Sequence, residues 1–137
     1  MANVIVQSVG NFRQQIDVGP HTFYADEPVD AGGDESGPDP YEYLLAALGA
    51  CTSMTLHMYA RRKKIALERV VVRLSHEHQY DTDCETCAEK PVKLDVITRR
   101  LELIGDLSDA QRARLREIAN RCPIHQTLTG RITIRDE

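Results

Sequence analysis

Two of the four cysteines, Cys51 and Cys122, stand where thiol chemistry could be supported, and the other two form a C-x-x-C unit at Cys84 and Cys87. Cys51 lies inside the apolar stretch PYEYLLAALGACTSMTLHMYARRKK, residues 40–64, and Cys122 opens the run CPIHQTL. Pro123 suits a first helical position, which makes Cys122 the cap of a short helix through about Leu128. A sulfur there meets unpaired N–H groups and the positive end of the helix dipole, both of which favour the thiolate, the reactive form. Cys51, more than two turns inside its own helix, needs neighbours brought by the fold. If the two helices pack together, the thiols meet. Taken singly, either cysteine can equally be a buried residue that packs as a small hydrophobe.

The C-x-x-C unit follows His76-Glu77-His78, with Asp81 and Asp83 close by. These are ligand types for a tetrahedral zinc site, but the unit stands alone, without a second half at zinc-finger spacing. A second redox pair and an inert hairpin connection remain as alternative readings. His57 and His125 lie near the two core cysteines in sequence; His125 could hydrogen-bond near Cys122, whereas the helical step from Cys51 to His57 leads to another face.

The elements that must position these residues are legible from period and punctuation. Residues 40–64 are apolar nearly all round, with Leu44, Leu48, Cys51, Met54, Thr55 and Met58 on one face, so a helix buried on most sides is expected. Asp39 and Pro40 mark its start and the basic Arg61 to Lys64 its end. Polar residues interrupt the run, which argues against a membrane span. Before it, residues 3–9, 12–18 and 21–25 read as an antiparallel meander turning at Gly10-Asn11 and Gly19-Pro20. The acidic, Pro- and Gly-rich residues 26–40 read as a long loop, either a rim over the helix or a solvated linker.

After the helix, residues 67–78 and 92–104 alternate as two long strands. Ser108 and Gln111 have capping-box spacing ahead of a helix carrying Leu115, Ile118, Ala119 and Cys122 on one face. A closing strand is expected at residues 131–135. The order implies an α+β fold with a mostly antiparallel sheet in a single domain of 137 residues.

Seventeen basic and 21 acidic residues give a net charge of −4, which argues against a nucleic-acid or anionic-membrane surface. The first residues, MANVIVQSVGNFRQQ, alternate like a strand and lack a basic n-region and an apolar h-region, so no signal peptide is expected. Four cysteines in that setting read as reduced, metal-bound or redox-active, and the chain as cytoplasmic.

The segments DPYEYLLAALGACTSMTL, GDLSDAQRARLREIANRC and CPIHQTL together resemble the OsmC/Ohr family of osmotically induced and organic-hydroperoxide-resistance proteins, over essentially the whole chain. The resemblance implies an α+β sheet wrapped around two long helices in an intertwined homodimer, with active sites at the interface. It further implies thiol-dependent reduction of hydroperoxides, preferably organic ones, with Cys51 as the attacking and Cys122 as the resolving cysteine. The disulfide formed would be reduced by an external dithiol, and no metal or nucleotide cofactor is required.

Family members activate the first cysteine with an arginine and a glutamate. Here Tyr41 stands at the glutamate position, with Glu42 one residue later; at about 100° per residue Glu42 falls opposite Cys51 on a regular helix. Residues 26–40 hold no Arg or Lys, which leaves Arg13 as the candidate arginine. These departures keep a second function class open: a non-catalytic protein on the same scaffold that binds an apolar small molecule or a metal.

Overall fold

The computed structural model describes residues 3–81 and 92–137. The sequence reading of Cys84, Cys87 and Asp83 falls outside the described residues. The chain divides into two compact units, Met1–Leu44 and Leu45–Glu137.

In the first unit, β1 (Ile5–Gly10), β2 (Arg13–Val18) and β3 (His21–Ala25) form the expected antiparallel meander in the order β1-β2-β3. Asn11 (φ 43°) and Gly19 (φ 54°) supply the left-handed residues that such tight turns need. The loop that follows is built rather than slack. Its residues Val29–Ala31 make one 3₁₀ turn, and the carboxylate of Asp26, 2% exposed, accepts hydrogen bonds from the N–H of Glu27 (2.8 Å) and from the N–H (3.1 Å) and hydroxyl (2.5 Å) of Ser36.

The Ser36 hydroxyl, first, holds the Asp26 carboxyl below its usual range; burial opposes this, and the N–H groups of Ser36, Glu27 and Asp34 reinforce it. A carboxyl depressed in the folded state stabilises above its unfolded pKa, and that stability is lost as pH falls through the folded value. Protease cleavage within residues 26–38 should therefore rise as pH drops below about 4. Asp26→Asn should bring the same exposure at neutral pH, and an unchanged cleavage rate would show that the Ser36 contacts do not hold the loop.

α1 (Pro40–Lys63) runs out of the first unit into the second, which continues with β4 (Leu67–Asp81), β5 (Val92–Gly105), α2 (Asp109–Ala119) and α3 (Pro123–Thr129). β4 and β5 pair antiparallel along their length, from Leu67↔Gly105 to Asp81↔Val92. Ser108 and Gln111 form the reciprocal capping box, and Cys122 caps α3 with Pro123 behind it, as the spacing predicts. The architecture is α+β with antiparallel sheets. Among the described residues no helix is long and apolar enough to cross a membrane.

Two expectations are corrected. α1 is not buried all round: its buried stripe is Leu48, Gly49, Thr52, Leu56 and Ala60, while Met54 and Met58, placed by periodicity on the core face, are 59% and 67% exposed. Because apolar residues circle the whole helix, its sequence names no preferred face, and packing within the chain covers only one. Gly49 belongs to the covered side, where an added Cβ would lie 2.8 Å from Leu74 of β4. The closing strand at 131–135 is also absent: among the described residues 131–137 pair with no strand, and Ile132 and Ile134 are 59% and 84% exposed.

The core of the second unit gathers Leu56 from α1, Leu103 from β5, and Leu115, Ile118 and Ala119 from α2. One turn from Leu56, α1 carries Thr52 and Cys51, so the core and the cysteine site share one scaffold.

Candidate thiol site

Cys122 is fully buried and Cys51 half-buried, and neither is in a disulfide. The helices bring the two thiols near enough for each to shift the ionisation of the other. Cys122 Sγ accepts the N–H of His125 at 3.3 Å, the closing bond of the α3 cap. Sequence reasoning placed His125 near this sulfur; its backbone makes the contact.

The pair is electrostatically asymmetric. Burial pushes the Cys51 thiol up; the N–H of Ile124 and the Thr55 hydroxyl oppose this, but contact with Cys122 adds to the rise. Burial acts in the same sense on Cys122. There it is outweighed by contact with Cys51, the hydrogen bond from the N–H of His125, the nearby Thr52 hydroxyl and the N–H of Ile124, so the Cys122 thiol lies below its ordinary value. The ionisation of each thiol depends on that of the other, so the asymmetry is a property of the two together.

Thr52 and Arg99 complete the surroundings, and sequence reasoning missed both. Thr52, fully buried, donates its hydroxyl to the Leu48 carbonyl (2.7 Å) and accepts from Arg99 Nη1 (3.0 Å). Arg99 Nη2 in turn donates to Asn120 Oδ1 (3.1 Å). A guanidinium from β5 is thus one hydroxyl away from Cys122. The signal that could have found it is parity: Arg99 shares the Asp95 and Ile97 face of β5, and with Arg100 it interrupts an otherwise alternating strand.

Two clefts are lined by residues close in sequence to the two cysteines. One, of about 340 Å³, is lined by Leu48, Asp95, Ile97, Arg99, His125, Leu128 and Thr129. The other, of about 290 Å³ and more apolar, is lined by Thr55, Met58, Tyr59, Ile118 and Pro123, with Arg62 and Arg121 at its edge. Thr55, a neighbour of Cys51, is among the residues that line this second cleft.

The other two nominated residues are engaged within the first unit. The Arg13 guanidinium lies over the Tyr24 ring at 4.0 Å, and its buried Nε has no hydrogen-bond partner among the described residues. Glu42 closes a capping box at the start of α1, accepting the Asp39 N–H (3.1 Å) while its own N–H donates to the Asp39 carboxylate (2.8 Å).

Residues 32–136 match the protein family described as OsmC-like protein. Comparison with curated protein sequences finds no match. Similar solved structures include an OsmC-like protein from Mycoplasma pneumoniae, with a TM-score of 0.73 at 18% identity over 95% of this chain and 88% of that one. The organic hydroperoxide resistance protein OsmC of Legionella pneumophila gives 0.67 at 20% identity over 93% and 90%. The organic hydroperoxide resistance protein OhrB of Bacillus subtilis gives 0.66 at 18% identity over 95% and 91%. At these identities the structural likeness establishes the fold.

Proposed function

Because the chain belongs to the OsmC-like protein family, we propose that it is a thiol-dependent redox protein that reduces organic hydroperoxides through Cys51 and Cys122. The observation that carries this reading is the proximity of two free thiols, one half-buried and the other fully buried on a helix cap. The names of the Legionella and Bacillus proteins support the substrate class.

The asymmetry of the pair gives each sulfur a task. Cys122 thiolate takes the proton of Cys51, and the Cys51 thiolate attacks the distal oxygen of ROOH as the O–O bond breaks. Cys51 becomes a sulfenic acid, and the departing alkoxide takes the proton back from Cys122 and leaves as ROH. The regenerated Cys122 thiolate attacks the sulfenic sulfur, the S–O bond breaks, hydroxide leaves, and a Cys51–Cys122 disulfide forms. Peroxide is reduced by two electrons and the thiol pair is oxidised by two. An external dithiol returns the pair to its thiols and becomes a disulfide itself.

Arg99, acting through Thr52, supplies the cation that the family resemblance sought in Arg13, while Arg13 is held by Tyr24 and Glu42 by Asp39. Arg99→Gln should move the pH midpoint of iodoacetamide alkylation upward and slow alkylation at pH 7 by about tenfold, the effect of a one-unit shift. Arg99→Lys should recover part of the loss. A pH profile that does not move in either variant would remove Arg99 from the mechanism.

The homodimer is part of the same proposal. Met54 and Met58 stand one turn apart on α1 as exposed large apolar residues, and β1 is an edge strand with Ile5 and Val6 66% and 56% exposed. Such faces are ordinarily covered by a partner. A second copy presenting the same surfaces would cover them.

The deciding experiment is thiol titration of the reduced protein before and after one equivalent of an organic hydroperoxide, with mass spectrometry to locate any bond. Rapid loss of two thiols into a Cys51–Cys122 disulfide is expected. Four surviving thiols would mean that the scaffold is kept without the peroxidase.

A further inference from the structure

We propose that His76, His78 and Asp95 form a binding site for a divalent first-row transition metal ion, with zinc as the reference ion. The three side chains converge from two paired strands. His78 stands directly opposite Asp95 in the β4–β5 register, and His76 is two residues along the same face of β4. Asp95 Oδ1 lies 2.9 Å from His76 Nε2 and 2.6 Å from His78 Nδ1, and one ligand atom from each residue falls within a 4.8 Å span.

Two imidazoles and a carboxylate are a donor set suited to zinc and to the other imidazole-seeking ions of the first row, and the described residues supply three ligands of a tetrahedral site. Ligands about 2.0 Å from a tetrahedral centre stand about 3.3 Å apart. The Asp95 carboxylate is hydrogen-bonded to both imidazoles and must move off each by about half an ångström to admit an ion, while all three donors already lie within 4.8 Å of one another. The side chains that have to move are the accessible ones: Asp95 is 56% exposed and His78 40%, while His76, at 11%, is fixed against the sheet.

Asp95 and Arg99 line the same cleft, so an ion held by Asp95 would sit on one wall of it, apart from the cleft lined by Thr55 and Met58. The residues themselves were only partly visible in the sequence. Both histidines suggested zinc, but the carboxylate reaches them from across the hairpin, from a position that only the strand register can identify.

The test is a Co²⁺ titration of the reduced, chelator-treated full chain followed by absorption, with Zn²⁺ as competitor. One Co²⁺ per chain with tetrahedral bands, displaced by Zn²⁺, is expected. Even partners that only orient a metal ligand cost 10–100-fold in affinity when removed, so His78→Ala and Asp95→Asn should each weaken binding more than about tenfold. Thermal unfolding of both variants in chelator should match the parent. On the parent protein, Zn²⁺ should also shift the ring-nitrogen NMR signals of His76 and His78, a readout that needs no variant to fold. No saturable binding, ring signals that do not move, or undiminished affinity in the His78→Ala/Asp95→Asn double variant would overturn the proposal. The last result would place the metal on the cysteines instead.

Discussion

Cys51→Ser should abolish hydroperoxide consumption, lowering the rate at least about a thousandfold, because a serine hydroxyl in the same place is not ionised by anything that ionises a thiol. Cys122→Ser should fail differently. In the proposed mechanism it removes both the base that accepts the Cys51 proton and the sulfur that resolves the sulfenic acid. The first oxidation should then be slow, and its product should accumulate oxygen instead of closing a disulfide, so that mass spectrometry finds Cys51 as sulfinic acid after excess peroxide. The distinction matters because Cys122 is the more acidic of the two yet fully buried, while Cys51 is the reachable one. If Cys122→Ser kept full single-turnover speed, proton transfer between the sulfurs would have no part in the reaction. If both variants consumed peroxide like the parent, the cysteine pair would be structural.

What the sequence made legible was what local chemistry decides. Ser108 with Gln111, and Cys122 with Pro123, announce helix starts because a cap needs only a side chain and its own next few N–H groups. The long strands show in their alternation, and α1 in its punctuation. What stayed hidden depends on register or on which face meets a neighbour. Thr52 reads as a polar interruption in an apolar helix, yet it is one of the most buried side chains, because α1 turns that stripe toward β4 and β5. Arg99 reads as one of two adjacent arginines; only folding places one of them on Thr52 and Asn120. Asp95 is far from His78 in sequence and opposite it in the hairpin. The faces of α1 show the same limit: a helix that is apolar all round cannot say which side is covered within the chain and which side is left for something else.

Leu56→Ala should cost about 2–5 kcal/mol of stability, the usual range for truncating a fully buried leucine when the surroundings relax only in part. Leu56 is 0% exposed and sits among Leu103, Leu115, Ile118 and Ala119. Against a typical total of about 5–15 kcal/mol that loss is large, and it should appear as a lower urea midpoint with an unchanged slope. Met58→Ala, half a turn further along α1, is the informative companion. In the isolated chain Met58 is 67% exposed, and its truncation should fall within about 0.5 kcal/mol of neutral. If a second copy covers that face, the cost of Met58→Ala should instead approach that of Leu56→Ala where the parent is dimeric and should fall away as protein is diluted towards the monomer, because the stability of a dimer depends on protomer concentration. Leu56→Ala should be costly at every concentration. Urea titrations of the two variants across a hundredfold dilution range therefore separate the core that the chain makes alone from the surface it shares. A Met58→Ala cost that stays near zero throughout, with the parent sedimenting as a monomer, would remove the homodimer from the proposed function.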